Sequence, residues 1–337
     1  EIEGPISCRS LCFEAFKLQT ASMQSRYTSV LSNAEAKERR NLLFEEERRR
    51  QISALGRIEK IEVKYQSPVD EVTLVMNKYL STPADCAKHI KEGVTRVSAL
   101  AMVDEAPWDM HKPLTADCTL RLVNLLSPTN NIVNTAFWRT CSLLLGAVID
   151  SAFKSEIKVH LHSFPVPNIR SGSFVYDAYI DLPDWKPTDT EMRAMSAQFV
   201  KLCNQELPIE RLQTVESVAL EMFQDNPFKS QQIPDIARAN DEKITLYKVG
   251  DHVDISKGLM VGNTLQVGRC TIASVHKLAE GDNLYRFQGI ALPKGILVNH
   301  FAYGILEKRA RKLNNAAWIP QSIVDSVEAP AKMSLAT

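Results

Sequence analysis

Neither sign of charge is in excess: 40 Lys and Arg offset 40 Asp and Glu, for a formal net charge of +0. A protein that wraps nucleic acid over a wide surface carries a basic surplus, because neutralising phosphates supplies most of its affinity. Extensive RNA wrapping is therefore disfavoured, while local basic patches remain open. No two of the seven cysteines, Cys8, Cys12, Cys86, Cys118, Cys141, Cys203 and Cys270, form a Cys-x-x-Cys pair. An odd count in a long chain favours free thiols in a reducing compartment. No apolar run reaches the roughly 18 residues of a membrane span, and Leu143 to Ile149 falls well short, so a soluble protein without a membrane partner is expected. There is no Gly-x-Ser-x-Gly elbow, no phosphate-loop spacing and no internal repeat. The residues alone offer no convincing nucleophile, metal site or cofactor motif.

What is present is ordinary for a folded protein. With 45% hydrophobic and 24% charged residues, 337 residues suffice for two domains with real cores. Pro5 to Asn33 holds Arg9, Lys17 and Arg26 against one acid, Glu14, with six serines. That composition fits a mitochondrial transit peptide; an untargeted floppy terminus fits it as well. Ser32 and Glu35 have capping-box spacing. The charged segment Lys37 to Arg50 that follows, with six basic and four acidic side chains, reads as a solvated helix or as an extension that docks on a partner.

From Arg57 the texture changes. Ile58, Ile61, Val63 and Tyr65 alternate with charged residues as in a strand, and Val72 to Met76 predicts a second. Thr82 caps a helix with Pro83 at its first position. Ser98 to Val103 and Cys118 to Leu126 add strands, and the set suggests a small β-grasp module over 57–128. Pro128-Thr129-Asn130-Asn131 is a turn-rich seam. Beyond it come a helix over Ile132 to Lys154, strands at Ile157 to Phe164 and Ser173 to Leu182, and helices over Thr188 to Asn204 and Val215 to Gln224. Strands at Ile244 to Val249, Cys270 to Leu278 and Leu284 to Leu292 precede a helix at His300 to Leu313. Without strict β-α-β alternation, the fold class is α+β. The polar, Ala-rich tail over 315–337 reads as disordered.

Three constellations stand out. His160 and His162 lie two apart on a strand and share a face; they are more readily two strand histidines than metal ligands, and His252 and His276 would close a site only by an accident of the fold. Gly250-Asp251-His252-Val253-Asp254-Ile255-Ser256-Lys257-Gly258 is a glycine-bounded turn leaving a strand. Lys308, Arg309, Arg311 and Lys312 form a basic cluster, either a solvated helix end or a local RNA contact.

The order of segments resembles the amino-terminal region of threonyl-tRNA synthetase from about residue 57 to 313. Ala99-Leu100-Ala101-Met102-Val103-Asp104-Glu105-Ala106-Pro107-Trp108-Asp109, then Pro113-Leu114 and Asp117-Cys118-Thr119-Leu120, resemble its small TGS domain. Trp138 to Ile149 is similar to the helix of the next, editing domain, where the family has His-x-x-x-His before Leu-Leu-Gly. Gly172-Ser173-Phe174-Val175-Tyr176-Asp177 resembles its Gly-Phe-Tyr-Tyr-Asp strand, and Val253-Asp254-Ile255-Ser256-Lys257-Gly258 its Val-Asp-Met-Cys-Arg-Gly. The resemblance implies an editing-like α+β domain over 129–314 behind a TGS-like β-grasp domain, with a leader over 1–30 and a charged helical extension over 31–56. The family's four editing residues fall on Arg139, Leu143, Ser256 and Met260, and none keeps its type. Leu143 and Met260 bring no useful base or ligand, and Arg139 a permanent positive charge that repels a cation. Asp254 and Lys229 alone persist near the site, too little for general acid–base hydrolysis. The chain also ends where the family's aminoacylation core would begin.

Lys60-Ile61-Glu62-Val63-Lys64, Val75-Met76-Asn77-Lys78, Pro107-Trp108-Asp109-Met110 and Arg286-Phe287-Gln288-Gly289 resemble a family of mitochondrial large-ribosomal-subunit proteins. That resemblance implies a non-catalytic structural component of the mitochondrial ribosome in the matrix, with ribosomal RNA and neighbouring ribosomal proteins as partners, and no cofactor, metal, membrane or small-molecule substrate. Two alternatives stay open: a freestanding aminoacyl-tRNA deacylase with a rebuilt site, and a non-catalytic tRNA-binding module.

Overall fold

The computed structural model describes residues 31–67, 71–126, 131–278 and 283–316. The expected leader at 1–30, with Cys8 and Cys12, most of the turn seam at 128–131, and the tail beyond residue 316 lie outside the described residues. The structure is α+β, with three separate sheets among the described residues.

Helix α1, Asn33–Ser53, starts where its sequence dictates. The Ser32 hydroxyl accepts from the Glu35 amide and the Glu35 carboxylate accepts from the Ser32 amide, a complete capping box. Strand β1, Lys60–Gln66, alternates as its residues do, with Ile61, Val63 and Tyr65 inward. It pairs antiparallel with β2, Glu71–Asn77, and parallel with β5, Cys118–Asn124. Thr82 and Asp85 cap α2, Pro83–Ile90, with Pro83 at the position that needs no amide. A short α3, Glu92–Val97, leads to β3, Ser98–Val103, and β4, Ala106–Trp108. The sheet order is β2-β1-β5-β3-β4, with α2 packed over a core of Ile61, Val63, Met76, Cys86, Leu114 and Leu120.

Helix α4, Asn131–Ala152, buries fourteen of its 22 residues. It is long and apolar enough to cross a membrane, but 78% of its most apolar window is buried inside the protein, so packing uses that apolarity. This corrects the expectation that no run reaches span length: the unbroken apolar stretch is only Leu143 to Ile149, and Arg139, Thr140 and Ser142 interrupt the longer apolar helix in the sequence. Gly146 faces the Tyr176 ring, where an added Cβ would lie 2.7 Å from Cε2; only glycine lets helix and strand meet so closely. Under α4 lies a four-stranded antiparallel sheet, β11-β12-β7-β6, built from β6 (Val159–Ser163), β7 (Phe174–Ile180), β11 (Val267–Lys277) and β12 (Leu284–Pro293). Helix α5, Asp189–Cys203, packs beside α4, and α8, His300–Ala310, covers β11 and β12.

A three-stranded sheet, β10-β9-β8, completes the fold with β8 (Glu210–Val215), β9 (Lys243–Val249) and β10 (His252–Ile255). Helices α6, Glu216–Met222, and α7, Pro227–Arg238, lie against it together with α1. Here α1 departs from the solvated reading: Ala36, Arg40, Phe44 and Glu47 are buried. Its charges pair with this domain, Arg40 with Asp225 at 2.6 Å, Lys37 with Asp251 at 2.8 Å and Glu45 with Lys248 at 2.6 Å. Its polar sequence conceals docking because the buried face is held by ion pairs around one phenylalanine. Neither β8 nor α7 is evident from the sequence: β8 buries only Leu212 and Thr214, and α7 carries Pro234 in its interior.

Candidate functional site

A cavity of about 600 Å³ opens between α7, β9, β10 and the segment after β6. Its lining includes Arg139, Lys229, Lys243, Lys257 and Ser256, together with Phe164 and Ile255. Lys229 is paired with Asp254 behind the wall, so Arg139, Lys243 and Lys257 stand against Asp235 among the lining residues, and the cavity is electropositive. The sequence expectation placed Arg139, Leu143, Ser256 and Met260 around one site. The structure lines the cavity with two of these, Arg139 and Ser256.

Each of the four is occupied in a way that limits its chemistry. The Arg139 guanidinium lies on Gly258, and its Nη1 donates to the Leu259 carbonyl at 3.2 Å. Burial lowers its pKa, partly offset by Tyr247 and Asp109, yet guanidinium remains a cation without acceptor capacity. Leu143, one turn further along α4, is fully buried, and so is Met260. Ser256 is buried beside the cavity, and its hydroxyl makes no hydrogen bond among the described residues, so no base activates it.

Behind the wall, Asp254 is saturated. Its carboxylate takes the Lys229 ammonium at 2.6 Å, the Tyr176 hydroxyl at 2.5 Å and the Ile255 amide at 2.8 Å, with Lys229 and Asp254 both buried. Burial by itself would raise the carboxyl pKa. The Lys229 charge and the bonds from Lys229 and Tyr176 outweigh it, so the group sits below the usual carboxylate range. Such a carboxylate is a structural anion, ill suited to accept a proton in hydrolysis.

The loop carrying Met260 is stitched to the small sheet. The Asp109 carboxylate accepts the Met260 amide at 2.9 Å and the Tyr247 hydroxyl at 3.0 Å, and pairs with Arg211 at 3.2 Å. Burial raises the Asp109 pKa, against these partners. Gly262 bonds Ala99 through its amide and His111 through its carbonyl, at 3.0 and 2.8 Å. Ala99, Leu100, Val123 and Leu125 enter the same core as α4.

The four histidines singled out in the sequence do not converge on one site. His160 and His162 share a face of β6 beside Phe228, each with its pKa lowered first by burial. His252 is buried against Asp150 at 3.3 Å, and His276 meets Ser274 and the Arg311 carbonyl. Among the described residues, no group of three or more His, Cys, Asp or Glu is placed to hold a metal ion.

The basic cluster stays together at the end of α8. Lys308, Arg309, Arg311 and Lys312 are exposed; Arg311 pairs with Glu307 at 2.9 Å, and Arg309 donates to the Arg170 carbonyl. The exposed Arg170 thereby joins a cluster that sequence spacing could not connect to it, since the two arginines meet across 139 positions. Asp109 was equally hidden, an acid in a loop motif with nothing local to mark its partners.

No family model matches the chain. The chain is 51% identical over 278 residues to the large ribosomal subunit protein mL39 of Drosophila melanogaster, covering 81% of this chain and 84% of that protein. It is 27% identical over 257 residues to the mitochondrial threonine–tRNA ligase 1 of Arabidopsis thaliana, covering 74% of this chain and 34% of the ligase. To the threonine–tRNA ligase of Thermotoga neapolitana it is 30% identical over 195 residues, 57% of this chain and 28% of that one. The match thus spans about a third or less of each ligase.

Proposed function

Because the chain belongs to the family of the large ribosomal subunit protein mL39, we propose that it is a non-catalytic structural component of the mitochondrial large ribosomal subunit, working in the matrix in support of translation. The similarity to mL39 along most of both chains carries this reading. The site geometry supports it: a synthetase editing helix and loop would be retained as packing elements, with Arg139, Leu143, Ser256 and Met260 in place of the catalytic residues. Leu143 and Met260 fill core, Arg139 braces the loop through Leu259, and Asp254 is neutralised by Lys229.

The same reading assigns the finer architecture. Residues 57–128 form a TGS-like β-grasp domain, consistent with the β2-β1-β5-β3-β4 order and its parallel β1–β5 centre. Residues 129–314 form the editing-like domain, on which 31–56 docks as an accessory helix. Ribosomal RNA and neighbouring ribosomal proteins are the partners. Lys308, Arg309, Arg311 and Lys312, with Arg170 alongside, are the RNA contact. The test is co-sedimentation of the tagged chain with the large subunit in mitochondrial lysates. Recovery with the subunit is expected; a chain found only in the light fractions, with intact subunits present, overturns the reading. Replacing these four cations at the end of α8 and just beyond it by glutamate should reduce recovery, and unchanged recovery would leave them as solvated charge.

One observation favours a second reading, a non-catalytic tRNA-binding module: the electropositive cavity of about 600 Å³ keeps Lys243 and Lys257 beside Arg139. Salt-sensitive binding of tRNA by the isolated chain would support it. Deacylation is the weaker alternative, since the Ser256 hydroxyl has no base; release of serine from Ser-tRNA(Thr), abolished in Asp254→Asn, would be required to revive it.

A further inference from the structure

Helix α8 has two faces of different character. Inward, Tyr303 and Ala310 are buried against β11 and β12, the Tyr303 hydroxyl meets Thr271 at 2.9 Å, and the Arg269 guanidinium lies 3.7 Å from the Tyr303 ring centre. Outward, Phe301 and Ile305 stand four residues apart on one row and are 78% and 55% exposed. Leu297, just ahead of the Asn299 cap, is 95% exposed. Lys308 follows seven residues after Phe301 and continues the row, and the exposed Lys312 lies just past the Arg311 cap at the same end of the helix. Among the described residues, neither lysine has an ion-pair partner, whereas Arg311 and Arg309 are engaged within the chain.

We propose that this outer face docks a neighbouring protein that presents an apolar patch to Leu297, Phe301 and Ile305 and carboxylates to Lys308 and Lys312. The proposal rests on the ribosomal reading and narrows it: Lys308 and Lys312 go to this protein partner, while Arg309 and Arg311, with Arg170 alongside, keep the RNA contact. A single exposed leucine needs no explanation, but a large aromatic and two aliphatics grouped at one helix end mark an interaction surface. RNA would satisfy the two ammonium groups and could stack on Phe301. It would leave Leu297 and Ile305 against a hydrated, charged backbone, so the apolar half selects protein. The two unpaired lysines then select acids at the rim, where complementary charge sets register and partner choice.

The test uses the full chain expressed in mitochondria. Phe301→Glu with Ile305→Glu should lower recovery with the large subunit by about tenfold or more, the loss expected for removing anchors of this kind, while thermal melting of the purified variant stays near that of the parent. In parallel, Phe301→p-benzoylphenylalanine, an aromatic replacement independent of the glutamates, should photo-crosslink within purified subunits. The expected adduct survives ribonuclease and maps to a subunit protein whose crosslinked stretch combines apolar residues with Asp or Glu. Parent-like recovery of the double variant overturns the proposal. So does a ribonuclease-sensitive adduct, an adduct with a basic partner, or one with residues 317–337 of this same chain. If the parent itself fails to co-sediment, the ribosomal reading fails before the docking face is addressed, so the two failures are distinguishable.

Discussion

The Arg139 guanidinium occupies the space that a side chain at residue 258 would need: a Cβ built on Gly258 would lie 2.1 Å from Arg139 Cζ. Arginine on α4 and glycine in the loop after β10 are therefore a matched pair, and Nη1 fixes the loop through the Leu259 carbonyl. Gly258→Ala should push the guanidinium aside and forfeit that bond, destabilising the protein by about 1 kcal/mol. In the Arg139→Ala background the same glycine change should have almost no effect. Urea unfolding of the two single variants and the double variant measures this coupling. Strict additivity would show that the two residues do not restrain each other.

Lys229 and Asp254 set a larger penalty. Both are buried at 2.6 Å separation, so Lys229→Met removes the partner and leaves an anion in the interior. Losing one member of a buried pair costs about 3–5 kcal/mol. The Tyr176 hydroxyl still donates to Asp254, which places the expectation near the lower end. Lys229→Met with Asp254→Leu should recover much of the loss, since the charge is then gone altogether. A Lys229→Met variant as stable as the parent in urea would show that the pair carries no net weight.

The same carboxylate and Asp150 predict how acid acts. Burial would raise both, and their partners reverse it, the His252 hydrogen bond and Arg40 at Asp150, Lys229 and the Tyr176 hydroxyl at Asp254; both groups end below the usual carboxylate range. A depressed folded-state pKa contributes stability that is complete above the unfolded value, about 3.9 for Asp, and is lost as pH falls through the folded value. Asp109, shifted upward by burial, works in the opposite sense and is easier to keep in acid. The urea midpoint should therefore fall steeply below about pH 4. Asp254→Asn should lower the midpoint at neutral pH while making that acid limb shallower. An unchanged acid limb in Asp254→Asn would remove this group from the explanation.

Much of the fold was legible because local chemistry and tertiary use agree. Ser32, Thr82 and Thr188 each open a helix through a capping box, and Ile61, Val63 and Tyr65 point inward as their alternation requires. The elements that escaped notice take their stability from partners remote in sequence. Strand β8 is short of apolar residues because α1 covers it with polar side chains, Gln51 donating to the Gln213 carbonyl and Arg48 pairing with Glu210. At the candidate site, the residue types were legible and their connections were not. That Arg139 is charged and Leu143 is not a ligand follows from the letters; that Asp109 holds the Met260 amide across 151 positions does not. Nor does the pairing of Arg309 with Arg170, which extends the basic cluster beyond its own helix.

Docking of α1 makes the last prediction, because its sequence and its structure point in different directions. Phe44 is completely buried in a cluster with Met222, Phe223, Ile233 and Leu246, and the Lys248 ammonium lies 5.4 Å from its ring centre. Truncation to Phe44→Ala removes a full aromatic from a packed site, for a loss of about 3–5 kcal/mol. Leu42, two residues earlier and 56% exposed, should tolerate alanine within about 0.5 kcal/mol. If the helix is held chiefly by this anchor and by Arg40 on Asp225, Phe44→Ala should also release amide protection along residues 33–53 before the rest of the domain opens. Hydrogen exchange followed by mass spectrometry resolves the two processes. A helix whose protection is unaffected by Phe44→Ala would be held by its ion pairs alone; one that exchanges freely in the parent would be the solvated helix that its charge pattern suggests.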